Sequence, residues 1–251
     1  MMNPAEFDNI ATAEADFWWY RGMRKILFGV LDPIAAGRKF DRVLEAGCGT
    51  GYMARALSHR YGWRMFPADL GWEGLAYGRA NGIERLSQCD VGALPFPDSE
   101  FDAVVSLDVI VHFPRGGEEQ AMRQLARVLK PGGLMIVRVA ALDMLRSRHS
   151  EFAHERQRFT RGRLTRLAAS HGIRMLRCTY ANSLLLPVAF VKFRVWEPLA
   201  GKPPASGVAP APGWLNRLLY APLALEAAWI GAGLNCPLGQ SLILIGERAA
   251  T

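Results

Sequence analysis

The chain predicts an α/β fold, a doubly wound and mostly parallel sheet with helices on both faces. Three observations carry that prediction. Short apolar runs of strand length alternate with helix-period stretches from Phe40 to Val139, the order that builds a parallel sheet through right-handed crossovers. The segment Val43 to Gly51, VLEAGCGTG, runs a strand into a glycine turn that opens a helix, the layout of a nucleotide-cofactor cradle. Phe101 to Leu107, FDAVVSL, is almost continuously apolar, as expected of a strand buried on both faces. Together they specify a Rossmann-like core, with seven strands once the later segments are added.

Taken in order, residues 4–30 read as one or two helices with the aromatic-basic knot Phe17, Trp18, Trp19, Tyr20, Arg21, Arg24 and Lys25. Asp32-Pro33 and Gly37 are expected to end them. The first strand is Phe40 to Ala46, followed by the glycine turn and a helix to about Arg60. Trp63 to Ala68 is the second strand and ends at Asp69; a helix over about 72–81 stops at Asn81-Gly82. Leu86 to Cys89 is a short third strand ending at Asp90, and Phe101 to Leu107 is the fourth. In the helix Glu118 to Leu129, Met122, Leu125, Ala126 and Leu129 fall at i, i+3, i+4 and i+7. Lys130-Pro131-Gly132-Gly133 is expected to stop that helix before a fifth strand, Leu134 to Val139.

A helix over Thr160 to Ser170, a sixth strand over Ile173 to Tyr180 and a last strand over Ser241 to Gly246 complete the core. About sixty apolar residues lie between the last two strands, too many for a loop, so they should form an insertion with helices near 183–198 and 214–233. The linker between these, GKPPASGVAPAPG at 201–213, has the composition of a mobile segment. The organisation is thus an N-terminal helical lid over 1–37, a cofactor-binding core over 38–181, an apolar helical insertion over 182–240 and a last strand with tail over 241–251.

Composition narrows the function classes. With 251 residues, half of them hydrophobic, the chain can bury a large core. Cys48, Cys89, Cys178 and Cys236 are scattered, with no CxxC pair or Cys/His cluster, so no metal site is expected and free thiols fit a reducing, cytoplasmic setting. MMNPAEFDNI lacks the basic and apolar regions of a signal peptide. The apolar run Leu218 to Leu234 holds Pro222 and Glu226 and is short for a membrane span. The net charge of +7 equals the excess of ten arginines over three acids between Arg138 and Arg177. A solvated helical face accounts for such a segment, and so does an anionic substrate, an acidic partner or an anionic membrane surface. Nucleic acid is disfavoured, because no aromatic-interleaved basic motif appears.

Individual residues point to a site. Alternate-position glycines, Gly47, Gly49 and Gly51, let a ligand approach backbone that a Cβ would shield. Asp69 lies 22 residues after Gly47, close to the spacing at which an acid meets ribose hydroxyls. A carboxylate suits a diol because it accepts two hydrogen bonds, although Asp69 also fits a helix N-cap. Asp108 and His112 follow the fourth strand at its carboxyl end, where open parallel sheets bind ligands. The N-terminal knot reads either as packing or as a lid, with Tyr20 stacking on a ligand and Arg24 meeting a carboxylate.

Four stretches, VLEAGCGTG, Asp69-Leu70, CDVGALPFPDSEFDAVVSLDVIVHF and LKPGGLMIV, occur in order over roughly residues 40–140. In this the chain resembles class I S-adenosylmethionine-dependent methyltransferases of the methyltransferase type 11 group. The glycine spacing differs from the G-x-G-x-x-G of dinucleotide binders, which disfavours a nicotinamide-dependent oxidoreductase. The resemblance implies S-adenosylmethionine as cofactor, with Glu45, Gly47, Cys48, Gly49 and Gly51 shaping its methionine side. It implies that Asp69 holds the ribose, Leu70 lies beside the adenine, Asp90 meets the adenine amino group and Val91 its ring. Leu107, Asp108 and His112 would line the floor near the sulfonium. If the acceptor carries a proton when it attacks, His112 is the first candidate base, with His149 and His154 next.

The implied function is methyl transfer to a small-molecule acceptor. The apolar insertion beside a basic belt suits an acceptor with an oily body and an anionic head, reached at a membrane periphery. The alternative is a non-catalytic nucleotide-binding or scaffold protein that keeps the fold.

Overall fold

A computed structural model describes residues 2–208 and 211–250. Seven strands form one sheet in the order β3-β2-β1-β4-β5-β7-β6. They are β1 Val43–Ala46, β2 Met65–Asp69, β3 Ser87–Gln88, β4 Phe101–Leu107, β5 Leu129–Ala140, β6 Ile173–Ala181 and β7 Ser241–Arg248. β1 pairs in parallel with β2 and β4, β2 with β3, and β4 with β5. β7 runs antiparallel to both β5 and β6. The order reverses between β1 and β4, so a crevice opens at the carboxyl ends of these strands, where ligands bind in open α/β sheets. Phe101, Ala103, Val104 and Val105 of β4 are fully buried, which is why that strand reads as an unbroken apolar run.

Helices α1 Ala5–Ala13 and α2 Trp18–Ala35 precede the sheet. Met23, Ile26, Leu27, Val30 and Leu31 of α2 are fully buried, a stripe at helical spacing that faces the core. Pro33 does not end α2; the helix runs on to Ala35. Asp32 instead holds the segment in place by accepting from Arg60 Nε at 2.8 Å and Tyr61 Oη at 2.6 Å. The core helices are α3 Tyr52–Tyr61, α4 Trp72–Ala80 and α5 Gly117–Val128. β5 begins at Leu129 and takes in Lys130-Pro131-Gly132-Gly133, which the sequence reading treats as a stop. The pairing with β4 shifts register between Phe101 and Ala103, and that irregularity absorbs the glycines.

α6 Arg148–Phe152 and α7 Arg161–Ala169 precede β6. Between β6 and β7 come α8 Leu186–Val191, a wide π turn Lys192–Trp196, α9 Glu197–Ala200 and α10 Gly213–Gly231. α10 packs along α2 rather than on the sheet. A Cβ on Gly22 would lie 2.2 Å from Leu223 Cδ1, and one on Gly29 would lie 2.8 Å from the Ala227 carbonyl oxygen. Small residues therefore set how closely these two helices approach. Glu226 of α10 is buried and accepts the backbone N–H groups of Ser183 and Leu184 at 2.7 and 3.1 Å, anchoring the start of the insertion.

Candidate cofactor and acceptor site

The crevice holds a cavity of about 740 Å³. Its floor is the glycine turn. Gly47 has φ +82°, and a Cβ there would sit 2.1 Å from Val109 Cγ2, so both conformation and space require glycine. Gly49, at φ +56°, faces open space instead: a Cβ would find only Phe7 Cε1, at 4.0 Å. Gly51 lies outside the cavity lining and serves as the left-handed N-cap of α3.

Asp69, at the end of β2, accepts the Gly49 N–H at 2.8 Å on one oxygen and the Gly71 N–H at 2.7 Å on the other. Each oxygen keeps a lone pair for a further donor. Burial pushes this carboxyl above its ordinary value, against the Gly71 and Gly49 N–H groups that favour its charged form. Glu45, at the end of β1, is buried, and its Oε2 has no hydrogen-bond partner. Burial, with the Asp69 charge nearby, raises its pKa to about 8. Asp90 accepts the Gly92 N–H at 2.7 Å. Leu70, Asp90, Val91 and Leu107 all line the cavity.

Cys48 also lines it, but burial pushes its thiol well above the ordinary range, so it is a packing group and not a nucleophile. Asp108 has φ +60°, and its carboxylate is held by Arg138 Nε at 2.8 Å and Nη2 at 2.6 Å. The guanidinium of Arg138 lies 5.3 Å from the Trp19 ring centre. Asp108 is therefore committed to an ion pair that also seats the N-terminal helix.

The two N-terminal helices contribute a wall. Phe7 of α1 fills the space left by Gly71 and Gly74, whose added Cβ atoms would lie 2.5 and 2.6 Å from its ring. Trp18, Trp19, Tyr20 and Arg24 line the cavity, Arg24 lying over the Tyr52 ring at 5.0 Å. Glu14, just past α1, accepts the hydroxyl of Thr50 in the glycine turn, and burial raises its pKa to about 7. Sequence reasoning misses Glu14, Thr50 and Arg138, because their partners lie 36 and 30 residues away.

On the opposite side, His112 Nδ1 meets the His154 carbonyl at 3.2 Å. A carbonyl only accepts, so Nδ1 carries the proton and Nε2 is left as an acceptor. Burial lowers the His112 pKa and favours the neutral ring. His149 lines the cavity too, but its Nδ1 accepts the Gly207 N–H at 3.0 Å. Ser206 Oγ donates to Glu6 at 3.0 Å and Arg148 Nε to the Pro203 carbonyl at 2.7 Å. The 203–208 part of the linker is thus tied to α1 and α6 beside the cavity, although its composition is that of a mobile segment.

The fold and this cradle define a Rossmann-like nucleotide-cofactor domain. Residues 44–137 match the family model of a methyltransferase domain. Over this segment the chain carries a methyltransferase domain, and it is similar to methyltransferases in sequence and in fold. It is 32% identical over 142 residues to the methyltransferase GfsG of Streptomyces halstedii, covering 54% of this chain and 47% of that protein. It is 32% identical over 128 residues to the ubiquinone/menaquinone biosynthesis C-methyltransferase UbiE of Pseudomonas fluorescens, covering 46% of this chain and 48% of that one. The chain thus spans about half the length of these curated relatives. In fold it is similar to a chain from the complex of the Haloferax volcanii Trm112 methyltransferase activator with a methyltransferase, with TM-score 0.60, 21% identity and coverage of 97% and 98%.

The residues fit the family's cofactor, S-adenosylmethionine. Its ribose diol matches the spare lone pairs of Asp69, its bulk matches the open space over Gly49, and its cationic end matches the unpartnered oxygen of Glu45. One consequence is measurable. A buried carboxyl that titrates near 8 is mostly protonated at neutral pH, and a bound cation favours its charged form. Cofactor binding at neutral pH is expected to release about one proton, and Glu45→Gln to abolish the release. Calorimetry in two buffers of different ionisation enthalpy reads this directly. In the free protein the same raised pKa makes this group's contribution to stability fall as pH rises from 4.5 to about 8, since the folded state retains a proton the unfolded chain has lost.

Proposed function

We propose that the protein transfers a methyl group from S-adenosylmethionine to a proton-bearing small-molecule acceptor with an apolar body and an anionic group. When bound, S-adenosylmethionine supplies a methyl group on a sulfonium that is already a good leaving group. Asp69, Glu45 and the glycine turn hold that cofactor, and the N-terminal helix with Tyr20 and Arg24 closes over it and excludes water. His112 takes the acceptor's proton at Nε2. The observation that carries this reading is the His154 carbonyl on Nδ1, which leaves a neutral imidazole with its free lone pair in the same cavity as Asp69.

The anionic group of the acceptor is read from Arg156 and Lys192. Both line the cavity, and neither has a carboxylate partner among the described residues. Its apolar body is read from Trp19, Phe113 and Phe193 in the same lining.

The test is formation of S-adenosylhomocysteine with alkyl-substituted phenols and their carboxylate-bearing counterparts. Turnover should favour the carboxylates, and Arg156→Ala with Lys192→Ala should erase that preference. Equal rates for both sets would remove the anionic group from the proposal. His112→Ala is expected to lower kcat by about 100- to 10,000-fold, the usual scale for a general base, with the affinity for S-adenosylhomocysteine retained. An unchanged kcat would show that no base acts.

A further inference from the structure

Helix surfaces that face water are normally polar, and α10 departs from this on its outer side. Leu223, Glu226, Ala227 and Ile230 face inward and are buried. On the other side Trp214, Leu218, Leu225 and Trp229 are 68, 60, 66 and 54% exposed, at spacings that put them along one line. The run from α8 through α9 repeats the arrangement. Phe193 and Glu197 line the cavity, whereas Val188, Val191, Val195 and Leu199 are exposed, Leu199 by 80%. Of 17 large hydrophobic side chains exposed among the described residues, 13 lie within 182–240. So large a share of the exposed apolar side chains in one insertion points to a partner for it.

The charges choose the partner. The exposed charges of this insertion are Lys192, which also lines the cavity, and Arg194, Lys202 and Arg217, all positive. Its two acids are withdrawn: Glu226 is buried, and half-buried Glu197 accepts the Arg148 N–H at 2.9 Å. A symmetric contact between two copies would bring these cations onto one another. An anionic surface neutralises them instead. Tryptophans at positions 196, 214 and 229, all more than half exposed, are the residues that settle at the lipid headgroup boundary. No helix among the described residues is long and apolar enough to cross a membrane, so the helices would lie in the interface plane.

We infer that the outer faces of α8–α9 and α10 dock this protein onto bilayers containing anionic phospholipid. The same helical run then has one face on lipid and the other on the cavity, so an acceptor dissolved in the bilayer reaches the site around Lys192 and Phe193. The docking surface stands on its own observations; this route for the acceptor rests on the function proposed above.

The experiment is co-sedimentation of the full chain with phosphatidylcholine vesicles, with and without phosphatidylglycerol. It is paired with tryptophan quenching by brominated phospholipid and with calorimetry of S-adenosylhomocysteine binding. Binding is expected with phosphatidylglycerol, accompanied by quenching. The combined variant Val191→Glu, Leu199→Glu, Leu218→Glu, whose side chains are all exposed, is expected to lose vesicle affinity by about tenfold or more and to bind S-adenosylhomocysteine unchanged. Three results would overturn the inference. One is no binding to anionic vesicles. Another is binding without quenching that about 0.5 M salt abolishes and the three glutamates leave intact, which would assign it to the basic segment alone. The third is a dimer in ultracentrifugation that the glutamates dissociate, with no vesicle binding by the parent chain. Failure to bind S-adenosylhomocysteine would instead strike the methyl-transfer reading and leave the docking result to stand by itself.

Discussion

Replacing Asp69 with alanine is expected to weaken S-adenosylhomocysteine binding by about 1–3 kcal/mol, roughly 5- to 150-fold, the scale of hydrogen bonds to a charged group. The loss comes from the ribose diol, which would no longer meet a buried acceptor. The same carboxylate also braces the turn through the Gly49 and Gly71 N–H groups. Thermal unfolding therefore belongs beside calorimetry. A lower Tm with an unchanged Kd would make Asp69 a loop brace and contradict the ribose assignment. Asp69→Asn, which keeps an acceptor oxygen and adds a donor, should fall between the parent and the alanine variant.

Gly47→Ala should produce the largest stability loss of any single methyl group added to the turn. The residue would be forced to hold φ +82°, which costs a non-glycine residue about 1–2 kcal/mol. Its Cβ would also press on Val109 Cγ2, and overpacking of this kind costs about 1–3 kcal/mol. A combined loss of about 2–5 kcal/mol lowers Tm by roughly 4–20 °C in a chain of this size. The companion change Val109→Ala separates the two contributions, because it relieves the contact and leaves the backbone strain. Calorimetric scans of the single and double variants should show partial recovery in the double. Equal Tm values would show that the clash is not felt, and a parent-like Tm in the single variant would show that the turn can adopt another shape.

Much of the core was legible from local signals. β4 could be read because a strand buried on both faces has no reason to alternate. α5 could be read because Met122, Leu125 and Ala126 repeat at the period that faces one side, and all three are buried. Asp69, Asp90 and Asp108 could be placed at the cavity because each ends a strand, and the carboxyl ends of parallel strands point to one crevice. Where local rules failed, a distant contact had overridden them. Pro33 did not end α2, since Asp32 is anchored by Arg60 and Tyr61. The linker is pinned at Ser206 and Gly207, since Glu6 and His149 are brought to it from 200 and 58 residues away.

The resemblance to a family implied the type of cofactor, and the sequence by itself determined the order of elements and the cradle. Each of these depends on residues close together in the chain, where spacing sets periodicity and turn geometry. Only the tertiary structure decided what surrounds the cofactor. It committed Asp108 to Arg138, set Glu14 against Thr50, gave His112 its tautomer through the His154 carbonyl, and packed α10 on α2 with an apolar face outward. These are pairings across tens to hundreds of residues. No spacing rule encodes them, because they depend on how the sheet and helices close in space.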